Sequence, residues 1–253
     1  MDDNYTQKIN IGARILDSAR GNLYLAMRFM DIALCAFAYK PDEGRQMAGT
    51  DGNVIYYCPD YVMDRYEAGR GYADRLYLHM TLHCIYRHIF RISNRKVRLW
   101  NLACDIAVEH VIDGLPYGCV RMRIPAVRDL CYRKISEYTS ILNADLIYKY
   151  LENNPMDEDT LKAWENEFLV DDHTYWYRED KNSRSNMKNE QKWDDISRKM
   201  QTSMETIEKG IGHDDKNLYD SIQIENRKRY DYRDFLRKFA VYREEMHIDP
   251  DEF

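Results

Sequence analysis

The segment His79-Met80-Thr81-Leu82-His83 holds two imidazoles four residues apart. On a helix turning about 100° per residue their side chains diverge by only about 40°, so one cation can lie between them. This is the metal half of the HExxH signature, in which two histidines bind Zn²⁺ and the intervening glutamate serves as general base. Here the glutamate position is Met80. A thioether has no proton affinity near neutral pH, so Met80 cannot take that role. Two histidines at this spacing also arise by chance, and the pair alone is a weak signal.

A second segment strengthens it. In Leu99-Trp100-Asn101-Leu102-Ala103-Cys104-Asp105-Ile106-Ala107-Val108-Glu109, the acids Asp105 and Glu109 share one face of an otherwise apolar helix. Buried charge needs a partner. A metal ion is one; the bland alternative is an arginine, with Arg75, Arg87 and Arg121 as donors. His88 lies nine residues from His79, about 180° round a continuous helix, and joins the pair only if the helix breaks first. His110, next to Glu109, reads as a packing residue. Farther on, Asp171-Asp172-His173 with Trp176 is either an aspartate cap opening a helix or a loop that brings His173 or Asp172 over the metal.

These residues depend on the elements that carry them. Apolar positions over residues 10–39 recur with helical period, and Pro41 ends that segment. Thr50-Asp51-Gly52-Asn53 signals a turn, and Val54-Ile55-Tyr56-Tyr57 is the best strand candidate, so a small hairpin or edge sheet is expected. Helices are expected over 71–91 and 99–113, then over 126–151 with a break at Asn143, which would cap the segment from Ala144 to Leu151. Residues 178–220 are polar and read as an exposed helical arm or linker. Tyr232, Phe235, Leu236, Phe239 and Tyr242 form one more amphipathic stripe. The fold class is therefore mainly α (α+β), with a small sheet beside a helical core.

Composition narrows the function. With 44% hydrophobic residues in 253, the chain can bury a core. The longest apolar run, Leu23 to Tyr39, contains Arg28 and Asp31 and is no membrane span. The N-terminus lacks a basic and an apolar signal region, which favours a cytoplasmic address. Six scattered cysteines without a CxxC pair read as buried reduced thiols, with a disulfide or zinc-ribbon set as the alternative. Residues 1–150 carry 20 Lys+Arg against 17 Asp+Glu, and residues 151–253 carry 17 against 26. This acidic balance argues against a nucleic-acid partner, and the cluster Arg87, Arg91, Arg95, Lys96, Arg98 reads as solvated surface. No GxSxG elbow, phosphate-binding GxxxxGK[ST] loop or dinucleotide GxGxxG is present.

Taken in order, Leu78 to His88, Leu99 to Glu109 and Asp171-Asp172-His173 resemble a bacterial metallopeptidase domain that precedes a von Willebrand A-like domain in a family of cytosolic proteins. The resemblance spans most of residues 10–253. It implies a zincin-like core binding Zn²⁺, with His79 and His83 as ligands and Asp105 as the third. It also implies a layout of a metallopeptidase-like domain at 1–170, a polar helical arm or linker at 171–230, and a helix at 231–253 leading to a C-terminal von Willebrand A-like domain. Such proteins are often encoded beside MoxR-type AAA+ ATPases, which makes such an ATPase the expected partner. Many relatives carry a full HExxH, so Met80 is a departure that puts proteolysis in doubt. The expectation is a zinc-binding module with impaired or absent peptidase activity. Two alternatives stand beside it: an active hydrolase in which Glu109 is the base, and a metal-free interaction scaffold. The expected metal ligands are His79, His83, Asp105 and His173.

Overall fold

The computed structural model describes residues 3–91, 94–177, 183–208 and 216–227. The chain opens with helix α1 (Asp3–Ala26) and a short α2 (Asp31–Leu34), then strands β1 (Ala38–Pro41), β2 (Ala48–Thr50) and β3 (Val54–Tyr57). Next come α3 (Pro59–Ala68), α4 (Arg70–Ile85), α5 (Val97–Asp113), α6 (Ala126–Tyr138), α7 (Ala144–Asn153), α8 (Glu158–Phe168) and α9 (Ser183–Glu208), followed by a helical stretch over residues 216–227. The protein is mainly helical with one small sheet, as its sequence predicts. No helix among the described residues is long and apolar enough to cross a membrane.

The strands order β1-β3-β2, with β2 and β3 antiparallel across the predicted turn and β1 parallel to β3. Gly52 sits in that turn at φ 89°, a conformation that costs glycine little. Residues 10–39 do not form the single helix that their periodicity predicts. The helix stops at Ala26, a 3₁₀ turn (Arg28–Met30) and α2 follow, and residues 38–41 become an edge strand. Met27, Met30 and Leu34 remain fully buried, which kept the helical period alive in the sequence. The open edge of β3 supplies the backbone partners that turn residues 38–41 into a strand.

The core is built on α4 and α5, which pack side by side. Every residue of α4 from Ala73 to Ile85 is buried. α1 and α3 cover one side and α7 packs on α5. Asn143 caps α7 as predicted, its side chain accepting from the Leu146 amide at 3.0 Å.

The polar stretch expected to be an exposed arm hides a buried stripe. Trp193, Ile196, Met200 and Met204 of α9 are buried, and the Trp193 indole donates to the Gly52 carbonyl at 2.7 Å. The stripe was masked because the positions between these anchors are almost all charged or polar. The expected helix over 231–253 lies outside the described residues. Among the cysteines, Cys84, Cys104 and Cys131 are buried free thiols as expected, whereas Cys35 is exposed.

Candidate metal centre

α4 delivers His79 and His83 on one face, and α5 delivers Asp105 opposite them. The imidazole Nε2 atoms of His79 and His83 are 2.8 Å apart, and Asp105 Oδ1 lies 3.4 Å from the first and 3.3 Å from the second. The loop after α8 closes over this triangle with Asp171 and His173. His173 Nε2 is 3.1 Å from Asp105 Oδ1 and 2.9 Å from Asp171 Oδ1, and the latter oxygen is 3.3 Å from His79 Nε2. One donor atom from each of these five residues lies within 4.8 Å of all the others, and all five residues are buried.

The sheet holds the loop in place. The Asp172 amide donates to the Ala48 carbonyl of β2 at 2.7 Å, and the Tyr61 hydroxyl of α3 donates to the Val170 carbonyl at 2.6 Å. Gly49 makes this approach geometrically accessible, since a Cβ there would stand 2.2 Å from the Asp172 carbonyl oxygen. The Trp176 ring stacks on His173 with centroids 3.6 Å apart and planes 18° apart.

The donor set fits a divalent cation. Donors sharing an ion at about 2.1 Å stand roughly 3 to 3.5 Å from one another; the close contacts here run from 2.8 to 3.4 Å, and all five donors lie within 4.8 Å of one another. Asp105 Oδ1, both oxygens of Asp171 and Nε2 of His173 are buried, and their close contacts lack the direction of hydrogen bonds. Buried polar atoms of this kind ordinarily have partners, and a shared cation would supply one to all of them.

Protons occupy part of this role when no metal competes. Burial disfavours a charged His79, but the carboxylates of Asp105, Asp171 and Glu109 overcome it and raise its pKa well above the usual value. His173 follows the same logic and is raised to about 9 by Asp105 and Asp171 against burial. His83 goes the other way, to about 4, through burial and the neighbouring His79 charge. Burial opposes ionisation of Asp105 and Asp171 as well, yet the adjoining imidazoles hold both below the usual carboxylate range.

The expected ligands His79, His83, Asp105 and His173 therefore meet at one point, and Asp171 is the member that sequence reasoning missed. Asp172, the alternative considered there, instead caps the 3₁₀ turn, accepting from the Thr174 amide at 2.9 Å. The aspartate cap is thus Asp172, and the loop residue brought to the cluster is His173, with Asp171 beside it. Nothing in the sequence shows which of two adjacent acids faces inward.

Glu109 lies elsewhere. Its Oε1 meets Nδ1 of His79 at 2.8 Å, on the side of the ring opposite the cluster, and its Oε2 accepts from Arg75 and Arg128. Burial disfavours its charge, but His79 and the two arginines hold its carboxyl far below the ordinary value. Of the arginines expected as partners of the α5 acids, Arg75 pairs with Glu109, joined there by Arg128 in place of Arg87 or Arg121, whereas Asp105 meets His79, His83 and His173 and pairs with no arginine among the described residues. The helix break that His88 needs is also present: α4 ends at Ile85, Arg87 takes a left-handed turn at φ 61°, and Nδ1 of His88 comes within 3.0 Å of Nδ1 of His83. Each of the two α4 imidazoles is thereby supported from behind, a recurring feature of metal-ligating histidines. His110 packs edge-on to Tyr132, apart from the cluster.

A mainly helical protein with buried histidines and carboxylates converging on one point belongs to the class of candidate metal-binding domains. Residues 13–217 match the family described as "Putative metallopeptidase domain", and the chain belongs to that family. Comparison with curated proteins and with solved structures returned no match.

Proposed function

We propose that this protein is a zinc-binding, metallopeptidase-like module with impaired or absent peptidase activity, acting within an ATPase-linked assembly. The observation that carries the metal reading is the five-donor cluster of His79, His83, Asp105, Asp171 and His173. Imidazole and carboxylate donors suit Zn²⁺. A bound zinc supplies Lewis acidity to whatever shares its coordination sphere.

The chain's own residues argue against ordinary proteolysis. Met80, where the motif calls for a glutamate, is fully buried within the hydrophobic core. Glu109 is a poor substitute, because its carboxylate is committed to His79, Arg75 and Arg128. In this reading it positions His79 by accepting the Nδ1 proton, which leaves Nε2 as a lone-pair donor toward the cluster. Five protein donors also leave fewer open positions than the three that catalytic zinc sites ordinarily use. The ATPase-linked role rests on the resemblance in the sequence alone.

One observation favours a second reading, an active hydrolase. A cavity of about 360 Å³ adjoins Asp105, Asp171 and His173 and is bordered by Arg98, Asn101 and Tyr177. It offers room for a substrate.

Elemental analysis of protein purified without a His-tag tests the metal reading. About one zinc per chain is expected in the wild type, with loss in His83→Ala. A metal content near zero in the wild type sinks both metal readings and leaves the metal-free scaffold. Hydrolysis of a peptide library that disappears in His83→Ala decides for the active enzyme.

A further inference from the structure

Behind the metal cluster lies a second cavity, of about 200 Å³, between α5, the α6–α7 connection and the helical stretch 216–227. An apolar cavity of about 150 Å³ is large enough to hold benzene. Val111, Ile141 and Leu142 supply apolar wall, and about half of the lining side chains are polar. Ligand sites combine apolar wall with polar groups that fix orientation.

Three polar groups on the wall have hydrogen-bonding capacity unspent among the described residues. The Asn143 side chain uses its oxygen to cap α7, while its buried Nδ2 has no partner. His110 packs edge-on against Tyr132 and makes no hydrogen bond among the described residues; burial lowers its pKa against the opposing charge of Asp113, which favours the neutral imidazole, an acceptor as well as a donor. Asp220 also lines the cavity, and no cation or donor among the described residues is paired with it. The other carboxylate on the wall, Glu225, is bound to Arg91 at 2.7 Å. No lysine or arginine is among the described lining residues, so the charge they offer is negative.

We propose that this cavity is a binding site for a small primary amine, its ammonium group held by the Asp220 carboxylate and its apolar body lying against Val111, Ile141 and Leu142. His110 accepts a second ammonium hydrogen bond, and Asn143 Nδ2 serves a hydroxyl or carbonyl where the ligand has one. His88 also lines the cavity, so the occupant sits one residue behind His83. The proposal does not depend on metal at the cluster.

Benzylamine, benzyl alcohol and benzoate are probes of one shape and three charges. Each is titrated into the full chain while the histidine ring signals are followed by NMR. Benzylamine is expected to shift the His110 and His88 signals saturably in the millimolar range, and benzoate to leave them in place. Asp220→Asn, at a partly exposed position, should keep the ligand-free ring signals and weaken benzylamine by about tenfold, the size of one charge-assisted hydrogen bond. Benzoate binding as well as the amine, an unchanged affinity in Asp220→Asn, or no saturable shift with benzylamine would each overturn the proposal.

Discussion

Glu109 shows how far the chemistry of one residue depends on what surrounds it. A carboxylate that accepts from His79 and two arginines gives each neighbour a fixed geometry, and replacing it by an amide disturbs all of them. In Glu109→Gln, one side-chain oxygen remains for the arginines, and the amide nitrogen can only donate to Nδ1 of His79. That forces the His79 proton onto Nε2, where a cation would otherwise bind. The expected result is a loss of metal affinity of about 10- to 100-fold and of stability by about 3 kcal/mol, read by metal titration and chemical unfolding. Asp113→Asn, which touches the same arginines but not His79, should lose stability while keeping metal affinity. Equal metal loss in both variants would contradict a positioning role.

Asp74 makes a separate case at the same scale. Burial raises its carboxyl from 3.8 to about 6, against the amide of Asn22. A folded-state value above the unfolded one means the native protein holds the extra proton between these limits. Stability is therefore highest below the unfolded value and declines as pH rises through the folded one. The difference is on the order of 2 to 3 kcal/mol. Asp74→Asn keeps an acceptor for Asn22 and removes the charge. It should raise the unfolding midpoint at pH 8 and leave it nearly unchanged at pH 4; a gain of the same size at both would show that ionisation of Asp74 is not the cause.

Among the elements, the small sheet has an importance out of proportion to its size. β2 presents the Ala48 carbonyl and the bare Gly49 backbone to the loop that carries Asp171 and His173. Gly49→Ala would place a methyl group against the Asp172 carbonyl, and backbone must move. Metal affinity is expected to fall about tenfold or more, together with thermal stability. Gly21→Ala is the matched control. Nothing lies within 4 Å of a Cβ at that position, and a glycine inside a helix costs about 0.5–1 kcal/mol relative to alanine. That variant should be slightly more stable and bind metal normally; parallel metal loss in both glycine variants would refute the sheet's role.

For the molecule as a whole, the charge asymmetry resolves into internal pairing. Arg87 is fully buried and reaches Asp194 at 3.5 Å, Arg91 meets Glu225 at 2.7 Å, and Arg98 meets Glu158 at 2.8 Å and Glu165 at 2.5 Å. The basic cluster that read as solvated surface is thus largely engaged by acids from later in the chain. Surface pairs contribute little, but buried Arg87 would be left without Asp194 if α9 were absent. A chain ended after Tyr177 also exposes the surface that Trp193 covers. Such a truncation is expected to lose the cooperative thermal unfolding of the full chain. Retention of a sharp transition by the shorter chain would mean that α9 is an accessory.

The local chemistry of this protein was legible in its residues. The spacing of His79 and His83, the face shared by Asp105 and Glu109, the turn at Asp51-Gly52 and the cap at Asn143 are all set by short-range periodicity, and each appears as its spacing predicts. What tertiary structure alone decided were the matters that depend on distant partners: which aspartate of the adjacent pair turns inward, which α5 acid joins the cluster and which supports His79 from behind with the arginines, and that a polar helix buries Trp193. Residues 48 and 172 meet through a backbone hydrogen bond, for which no side-chain pattern exists. A helix or turn is specified by neighbours along the chain, whereas a cluster assembled from α4, α5 and a loop more than sixty residues later exists only once packing has chosen which faces meet.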